Sequence, residues 1–271
     1  MKSTPSAGLW PHGQTSAAEI LARQDHRPWP LLDRPWLIFQ SWQDLLFAHW
    51  PIAAAQMAEL LPPGLTLDTY AGEAWVSVVP FRMRGVRPRL LPAAPGLSSF
   101  PELNVRTYVK GSSAEAERPG VFFFSLDAGS PLAVAMARRF FHLPYFRARM
   151  VCRSEDDSIF FDSRRTHGGA PEADFRAVYR PTGPVYRAAD SSLEQWLIER
   201  YCLYSADGAG RIYRAEVHHG PWPLQRAEAE FERNWVAQAH RVFLPDTAPL
   251  LHFARRLDVL TWWVEEVAAS S

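Results

Sequence analysis

Cysteine and lysine are both scarce in this 271-residue chain, and each scarcity excludes a class of chemistry. Cys152 and Cys202 are the only cysteines, so they cannot build the disulfide framework of a small secreted domain, and neither lies in a C-x-x-C motif. Lys2 and Lys110 are the only lysines, so any imine chemistry must use one of them. We therefore expect a reduced, cytoplasmic protein.

Long apolar runs and an excess of either charge are also missing. No segment approaches the 18 apolar residues of a membrane span, and the first 30 residues lack the apolar core of a signal peptide. The formal net charge is zero and no basic stripe is present. Neither a membrane nor nucleic acid is therefore expected as a partner. A small molecule and a second copy of the chain, as a homo-oligomer, remain as possible partners.

Common catalytic and cofactor motifs are absent from the sequence. There is no G-x-S-x-G, H-E-x-x-H, Walker A or G-x-G-x-x-G pattern. His218 and His219 could contribute to a metal site, but adjacent residues of a strand point to opposite faces, so one histidine alone is the better candidate ligand. A structural role at a strand end is the commoner case. We predict no metal and no cofactor.

What the sequence does contain is a large apolar fraction arranged in short segments. Hydrophobic residues make up 47% and aromatic residues 13%, which favours a packed core over disorder. Short strands outnumber helices, which predicts an α+β fold with a mostly antiparallel sheet. Residues 1–30 are interpreted as an N-terminal extension and 31–271 as a single domain. Strands are predicted near 36–47, 74–81, 121–126, 146–153, 157–164, 173–180, 201–204 and 212–218. Helices are predicted over 52–61, over 132–141 and from Ser191 to Arg200. A loop is predicted over 84–99 and a polar turn over 114–119.

The segment from Phe100 to Lys110 carries the strongest functional signal, because polar and apolar residues alternate along it. This period of two is typical of a strand with one polar face. If that face looks at bulk water, it is an ordinary solvated strand; if it looks into a cavity, it is a polar wall for a small ligand. One face carries Leu103, Val105, Thr107 and Val109, and the other carries Glu102, Asn104, Arg106, Tyr108 and Lys110.

Eight segments, in order along the chain, resemble a known family. The set is similar to the YqjF-like family, the domain of unknown function 2071 (DUF2071), over roughly residues 34–265. The segments begin at Phe47 (FAHWP), Leu60 (LLPPGL), Gly72 (GEAW), Phe100 (FPELNVRTYV), Gly120 (GVFFFSLD), Leu143 (LPY), Arg200 (RYCLY) and His218 (HHGPWPL).

The resemblance implies an acetoacetate decarboxylase-like fold, a curved, cone-like β-barrel with flanking helices around a central cavity. It also bears on Leu250–Val264, whose pattern fits a helix and a strand equally well. The decarboxylase-like pattern places a long strand there, and alternation at Phe253, Arg255 and Leu257 is compatible with that placement.

The same resemblance argues against decarboxylase activity. Decarboxylases carry their Schiff-base lysine just after the helix that corresponds to 132–141, where this chain has His142–Phe146 without a lysine. A decarboxylase glutamate corresponds to Glu102. Lys110 lies eight residues from Glu102, roughly 26 Å along a strand, too far to share its site.

Two functions remain open. In the first, Glu102 and Arg106 form the catalytic pair of an enzyme, without a Schiff base, that acts on a small anionic or carbonyl metabolite, and Asn104, Tyr108, Tyr145 and His49 bind the ligand. In the second, the protein is a non-catalytic ligand-binding or stress-related protein, and the polar side chains of this face form hydrogen bonds with each other. An open cavity with Glu102 and Arg106 on its wall favours the first function, whereas a closed hydrogen-bond network favours the second.

Overall fold

The computed structural model describes residues 15–111 and 117–267, and within them a sheet of 13 strands forms the body of the protein. The helices are α1 (Ala17–Ala22), α2 (Ala54–Ala58), α3 (Pro131–Phe140) and α4 (Leu193–Ile198). The strands are β1 (Ile38–Ile52), β2 (Leu65–Leu67), β3 (Ala74–Pro88), β4 (Phe100–Gly111), β5 (Gly120–Ala128), β6 (Tyr145–Glu155), β7 (Ser158–Arg165), β8 (Asp174–Tyr186), β9 (Cys202–Ala206), β10 (Ile212–His219), β11 (Leu224–Asn234), β12 (Leu250–Thr261) and β13 (Glu265–Val267).

Most strand pairs are antiparallel, and the predicted α+β class is confirmed. The order is β13-β10-β9-β5-β6-β7-β8-β11-β12-β1-β3-β4-β2, with further pairings of β10 with β12 and of β5 with β4. Strand β5 pairs in parallel with β6 and β9. The extra pairings join distant parts of the order, so the strands form a ring instead of a regular barrel.

The two faces of β4 lie in different parts of the core. Leu103 and Val105 are buried in a cluster between β1, β3, β7 and β8. Glu102, Asn104 and Arg106 line a central cavity on the other side. The register with β5 shifts between Val105 and Arg106. The alternation predicted from the sequence is therefore confirmed, and the polar face is turned inward.

The helix predicted over 52–61 is present but shorter, since α2 covers only Ala54–Ala58. Pro51, which by type would suit the first turn of such a helix, lies instead in β1, where it pairs with Trp75 of β3. The apolar side chain of Trp50, 4% exposed, packs in the core and keeps this segment extended. Tertiary packing overrides the preference of proline for the first turn of a helix.

Two other local predictions need correction. Strand β3 continues to Pro88, into the predicted loop, because it pairs with the start of β1. The helix predicted from Ser191 to Arg200 is shorter, since α4 spans Leu193–Ile198. Ser192 caps it, and its Oγ accepts a hydrogen bond from the backbone N–H of Gln195, whereas Ser191 has a left-handed φ of 59°. The turn predicted over 114–119 lies partly outside the described residues.

Other local predictions are confirmed. The helix predicted over 132–141 is α3, which the Ser130 side chain caps, and residues 250–261 form a strand, not a helix. Strands β6, β7 and β8 form the predicted antiparallel series. No helix among residues 15–111 and 117–267 is long and apolar enough to cross a membrane.

Residues 15–30 lie across one end of the ring. Helix α1 contacts β10 and β12. The side chain of Arg27 is buried and its Nη2 is 2.8 Å from the Glu216 carboxylate of β10, and Trp29 donates an indole hydrogen bond of 2.8 Å to the same carboxylate. The division of the chain at residue 30 stays a prediction, but this segment is tied closely to the sheet.

Candidate functional site

A cavity of about 100 Å³ lies inside the ring, and its walls are mostly apolar. A volume of that size corresponds to roughly three water molecules at about 30 Å³ each, or to a compact organic ligand. The apolar walls include Trp42, Phe47, Phe81, Leu126 and Val217, and the polar groups are Gln40, Glu102, Asn104, Arg106, Tyr145, Arg200, His219 and Thr261.

Glu102 is the acidic residue on the wall of this cavity. Its side chain is 1% exposed, and the Tyr145 hydroxyl donates a 2.8 Å hydrogen bond to it. Burial raises the pKa of Glu102 to about 8, the negative charge of Asp127 adds to that rise, and the hydrogen bond from Tyr145 opposes it. Glu102 is therefore protonated at neutral pH.

Arg106 lies on the same face of β4, with two of its nitrogens unsatisfied. Nε and Nη2 are buried and have no hydrogen-bond partner. The guanidinium stands over the Phe47 ring at 5.3 Å. Burial lowers the pKa of Arg106, and the nearby charge of Arg200 lowers it too, whereas the Tyr108 hydroxyl favours the charged form.

A second guanidinium, that of Arg200, reaches the cavity from the chain just after α4. Its Nη1 is 2.6 Å from the Asp68 carboxylate, and its Nε donates a 2.7 Å hydrogen bond to the Trp196 carbonyl. The guanidinium also stacks over the Trp196 ring at 4.4 Å. Its Nη2 is buried and has no partner, so Arg200 is firmly held but retains a free donor.

Unsatisfied donors outnumber unsatisfied acceptors around the cavity. Besides the two guanidinium groups, the indole Nε1 of Trp222 is a buried donor without a partner. Asn104 Oδ1 and Thr261 Oγ1 are also unsatisfied. A buried polar atom without a partner costs free energy, so this pattern favours a ligand rich in acceptor oxygens.

Tyr108 and His49 were predicted to bind the ligand, but neither lines the cavity. They form a buried cluster with Ser77: His49 Nδ1 and the Tyr108 hydroxyl each lie 2.7 Å from Ser77 Oγ. Burial holds the pKa of His49 well below its usual value. The two hydroxyl groups and His49 Nδ1 satisfy each other, but His49 Nε2 is buried without a partner, so the network expected for the second function is only partly closed.

His218 and His219 point to different partners, as expected for adjacent strand residues. His218 Nε2 is 2.9 Å from the Ile20 carbonyl, whereas His219 lines the cavity and its Nδ1 is 2.8 Å from the Gly220 carbonyl. Burial lowers the pKa of each to about 4, so both are neutral. Among the described residues, no group of three or more His, Cys, Asp or Glu side chains is arranged to hold a metal ion.

Lys110 lies at the far end of β4 and is not part of the cavity lining. Its Nζ is 3.4 Å from Asp68, the same carboxylate that holds Arg200. The segment His142–Phe146, where the resemblance places the decarboxylase lysine, contributes Tyr145 to the cavity instead. Arg200 and Trp222 were not predicted as site residues, although both lie in segments that carry the family resemblance.

The ring of strands and its inner cavity define the fold class, that of the acetoacetate decarboxylase-like proteins. A crystal structure of acetoacetate decarboxylase from Legionella pneumophila matches with a TM-score of 0.56 and 15% identity, covering 99% of this chain and 98% of that chain. The enduracididine biosynthesis enzyme MppR, complexed with the condensation product of pyruvate and imidazole 4-carboxaldehyde, matches with a TM-score of 0.59 and 12% identity over 89% and 92% of the two chains. At such low identity these likenesses show the fold alone.

Sequence comparison narrows the assignment to one family. The model of the uncharacterized conserved protein family DUF2071 matches residues 39–258. The uncharacterized protein YqjF of Bacillus subtilis (strain 168) is 47% identical over 230 residues, covering 85% of this chain and 92% of that protein. The chain therefore belongs to the DUF2071 family, as its sequence segments predicted.

Proposed function

We propose that the central cavity binds a short-chain acid with a second oxygen function, an oxo or hydroxy acid, and that Glu102 exchanges a proton with it. One observation carries the proposal: the buried guanidinium of Arg106 lines the cavity with two nitrogens that have no partner. A carboxylate satisfies two such nitrogens at once in a bidentate pair.

The charge balance of the cavity supports an anionic ligand. The positive charge of Arg200 is compensated by Asp68, 2.6 Å away. Glu102, whose pKa is about 8, is neutral at pH 7 and does not compensate Arg106. The cavity thus has an excess positive charge in a low-dielectric interior. Burial of an uncompensated charge costs free energy, and a bound anion lowers that cost.

The separation of Arg106 and Glu102 supports a ligand with two polar ends. Four residues apart on β4, they are about 13 Å apart along a flat strand, and a ligand spans the remaining gap between the two side chains more easily than they pair directly. The carboxylate would lie on Arg106 and the oxo or hydroxyl oxygen toward Glu102 and Tyr145. A structure of MppR complexed with pyruvate, an oxo acid, adds support from the same fold.

Glu102 would act as the proton donor or acceptor, with Tyr145 as its hydrogen-bond partner. A pKa near the working pH suits general acid–base catalysis, and the value for Glu102 is about 8. Proton exchange at the carbon beside the oxo group is the reaction we expect. An imine is not part of the proposal, since the described cavity lining contains no lysine.

Binding is tested with pyruvate and acetoacetate by isothermal titration calorimetry, using the uncharged pyruvamide as the ligand control. Arg106→Ala should weaken binding of the acids by at least about tenfold, since a hydrogen bond to a charged group contributes about 1.5–3 kcal/mol. Arg106→Lys should restore only part of the lost affinity, because an ammonium cannot copy the planar, two-pronged hydrogen bonding of a guanidinium. Arg149→Ala, which removes an exposed arginine of β6, is the matched control. Equal affinity of Arg106→Ala and wild type would overturn the proposal.

The catalytic half is tested separately. In D₂O, wild-type protein should speed the loss of the methyl proton signal of pyruvate, and Glu102→Gln should abolish that effect while retaining binding. Binding without exchange in the wild type would instead support the non-catalytic function, which the hydrogen bonds among Tyr108, Ser77 and His49 also favour.

A further inference from the structure

Trp222 presents a hydrogen-bond donor to the central cavity that no described residue accepts. Its side chain is 2% exposed and lines the cavity, and its indole Nε1 is buried without a partner. A buried indole N–H usually has a partner, because leaving it without one costs free energy. Trp75 Nε1 is also buried and unpaired, but Trp75 lies outside the cavity lining. Four other tryptophans donate from Nε1 to a protein oxygen: Trp29, Trp42, Trp50 and Trp262.

On one side, the Trp222 ring is close to Arg106. The Phe47 ring contacts the Trp222 ring edge to face at 4.9 Å, and it is 5.3 Å from the Arg106 guanidinium. One aromatic ring therefore separates the indole from the cation of the proposed carboxylate site.

On another side, Trp222 approaches Glu102. The Trp42 ring stacks on the Trp222 ring at 5.9 Å and contacts the Phe81 ring at 6.0 Å. Phe81 pairs with Glu102 across β3 and β4, so their side chains share one face of the sheet, and both line the cavity. These contacts place the indole along the cavity between the residue that would bind the acid end and the residue that would exchange a proton.

The backbone and the neighbouring rings hold this donor in one orientation. Trp222 lies between Pro221 and Pro223, and a residue that precedes proline is restricted to extended backbone. Its backbone N–H donates to Glu199 Oε1 at 2.9 Å, and the His219 ring contacts the indole edge to face at 5.4 Å. A donor that is fixed in advance needs little reorganisation when charge develops beside it.

We infer that the Trp222 indole donates a hydrogen bond to the oxo oxygen of the bound acid and stabilises the negative charge that forms there during proton exchange. The inference rests on the proposed function and adds a catalytic residue to it. With the carboxylate on Arg106, the next carbon of the ligand carries the oxo group on the way to Glu102, and the indole lies along that path.

The chemical step shows why such a donor is needed. The ionised form of Glu102 takes a proton from the carbon beside the oxo group. The electron pair of the broken C–H bond forms a C=C bond, and the π electrons of the C=O bond move onto its oxygen, which gives an enolate. Return of a proton from Glu102 to the carbon restores the acid. A neutral indole stabilises the enolate oxygen without adding a second uncompensated charge to a mostly apolar cavity.

Trp222→Phe tests this role, because it keeps an aromatic ring and removes the N–H. At saturating pyruvate in D₂O, the exchange rate of the methyl protons should fall about hundredfold, the loss expected when one donor to a developing oxyanion is removed. The affinity for pyruvate should fall less than about tenfold, because the neutral oxo group accepts only a modest hydrogen bond. Trp50→Phe removes a buried indole N–H outside the cavity lining and should exchange at the wild-type rate.

Oxalate extends the test from rate to affinity. It carries a charged oxygen where the enolate of pyruvate has one, so wild type should bind oxalate more tightly than pyruvate in calorimetry. In Trp222→Phe that preference should shrink about tenfold. A purely structural role of Trp222 would weaken the binding of both acids by the same factor, and that result would overturn the inference.

The contact can also be observed in the wild-type protein, which keeps the test open if Trp222→Phe does not fold. In proton–nitrogen correlation spectra, the indole signal of Trp222 is assigned by through-space contacts with the Phe47 and Trp42 rings. This signal should move downfield when pyruvate or oxalate is added, whereas the indole signal of Trp50 should not move.

The outcomes separate the inference from the proposed function. If wild type binds pyruvate and exchanges its protons, but Trp222→Phe exchanges at the same rate or the Trp222 indole signal does not move, the inference is overturned and the proposed function stands. If wild type does not bind pyruvate, or binds it without exchange, the proposed function fails in its binding or its catalytic half, and the inference fails with it.

Discussion

The hydroxyl of Tyr145 donates a 2.8 Å hydrogen bond to the carboxylate of Glu102, from the segment in which decarboxylases carry their lysine. A neutral donor thus stands beside this glutamate where a cation was to be expected from the resemblance. A phenol stabilises the charged carboxylate less than an ammonium does. The pKa of Glu102 therefore rises to about 8 through burial.

The stability of the protein should depend on pH through Glu102. Between its unfolded pKa, about 4.5, and its folded pKa, about 8, the folded state holds a proton that the unfolded state releases. The free energy of unfolding should therefore fall as pH rises through this window, by at most about 1.4 kcal/mol per pH unit. Guanidinium denaturation from pH 5 to 9 should show this slope in wild type and a smaller one in Glu102→Gln.

The control for that comparison is Glu172→Gln, which changes an exposed carboxylate and should keep the wild-type slope. Asp127, whose pKa is raised to about 6 by burial, interacts with Glu102, so the slopes are compared above pH 7, where Asp127 is already ionised. If plots of the free energy of unfolding against pH were parallel for wild type and Glu102→Gln, Glu102 would be ionised in the folded protein at neutral pH.

Removal of the Tyr145 hydroxyl should raise the pKa of Glu102 further. The hydrogen bond favours the charged carboxylate, so Tyr145→Phe leaves burial as the dominant influence. Infrared difference spectroscopy of the protonated carboxyl band should show a higher titration midpoint in the variant. We also expect a loss of about 1–3 kcal/mol in the free energy of unfolding. A midpoint that moves down would contradict the hydrogen-bond assignment.

Arg106 should lower the stability of the ligand-free protein. Loss of a buried and fully paired arginine would cost a few kcal/mol, but two of the Arg106 nitrogens are buried and unpaired. Arg106→Met should therefore raise the free energy of unfolding by about 1–3 kcal/mol while abolishing acid binding. Arg200→Met should lower it, since Arg200 is paired with Asp68. Thermal denaturation without ligand measures both; a less stable Arg106→Met protein would mean that Arg106 is satisfied in solution.

Imine trapping should fail. Lys110 is 3.4 Å from Asp68 and does not line the cavity. Incubation with acetoacetate and borohydride should leave the mass of the protein unchanged, whereas an acetoacetate decarboxylase treated in parallel gains a covalent adduct. Mass addition at Lys110 would show that the lysine reaches the ligand.

Arg27 should hold the N-terminal segment on the sheet. Its side chain is 1% exposed and pairs with Glu216 at 2.8 Å. Arg27→Met leaves that carboxylate with fewer partners, so we expect faster cleavage within residues 15–30 by subtilisin and a loss of about 3 kcal/mol in stability. Arg23→Met, at an exposed position in the same segment, should be cleaved like the wild type. Equal cleavage of both variants would indicate that contacts other than that of Arg27 hold this segment on the sheet.

Local patterns predicted the parts of the fold that depend on neighbouring residues. The alternation around Leu103 was enough to separate the two faces of β4, because a strand repeats every two residues. The helix over 52–61 was predicted too long because this segment continues β1, where Pro51 pairs with Trp75, and the local sequence does not reveal that pairing. The pattern of Leu250–Val264 was ambiguous, and only the family resemblance favoured the strand that the structure contains.

The candidate site was predicted only in part, for a similar reason. Glu102, Asn104 and Arg106 come from one strand, so their common orientation could be inferred from spacing. Arg200 and Trp222 join them from other parts of the chain, and nothing local distinguishes them from an ordinary helix end and a Pro-rich turn. Tyr108 lies on the same face of β4 as Glu102 and Arg106, yet its hydroxyl is hydrogen-bonded to Ser77.

Residues 15–30 precede the stretch 39–258 that matches the family model, yet Arg27 and Trp29 bond to the Glu216 carboxylate of β10. A shortened protein that begins at residue 39 would keep the residues that line the central cavity and lose both of these bonds. The boundary of the family model is therefore not the boundary of the folded unit, because the matched stretch alone would leave a buried carboxylate without two of its partners.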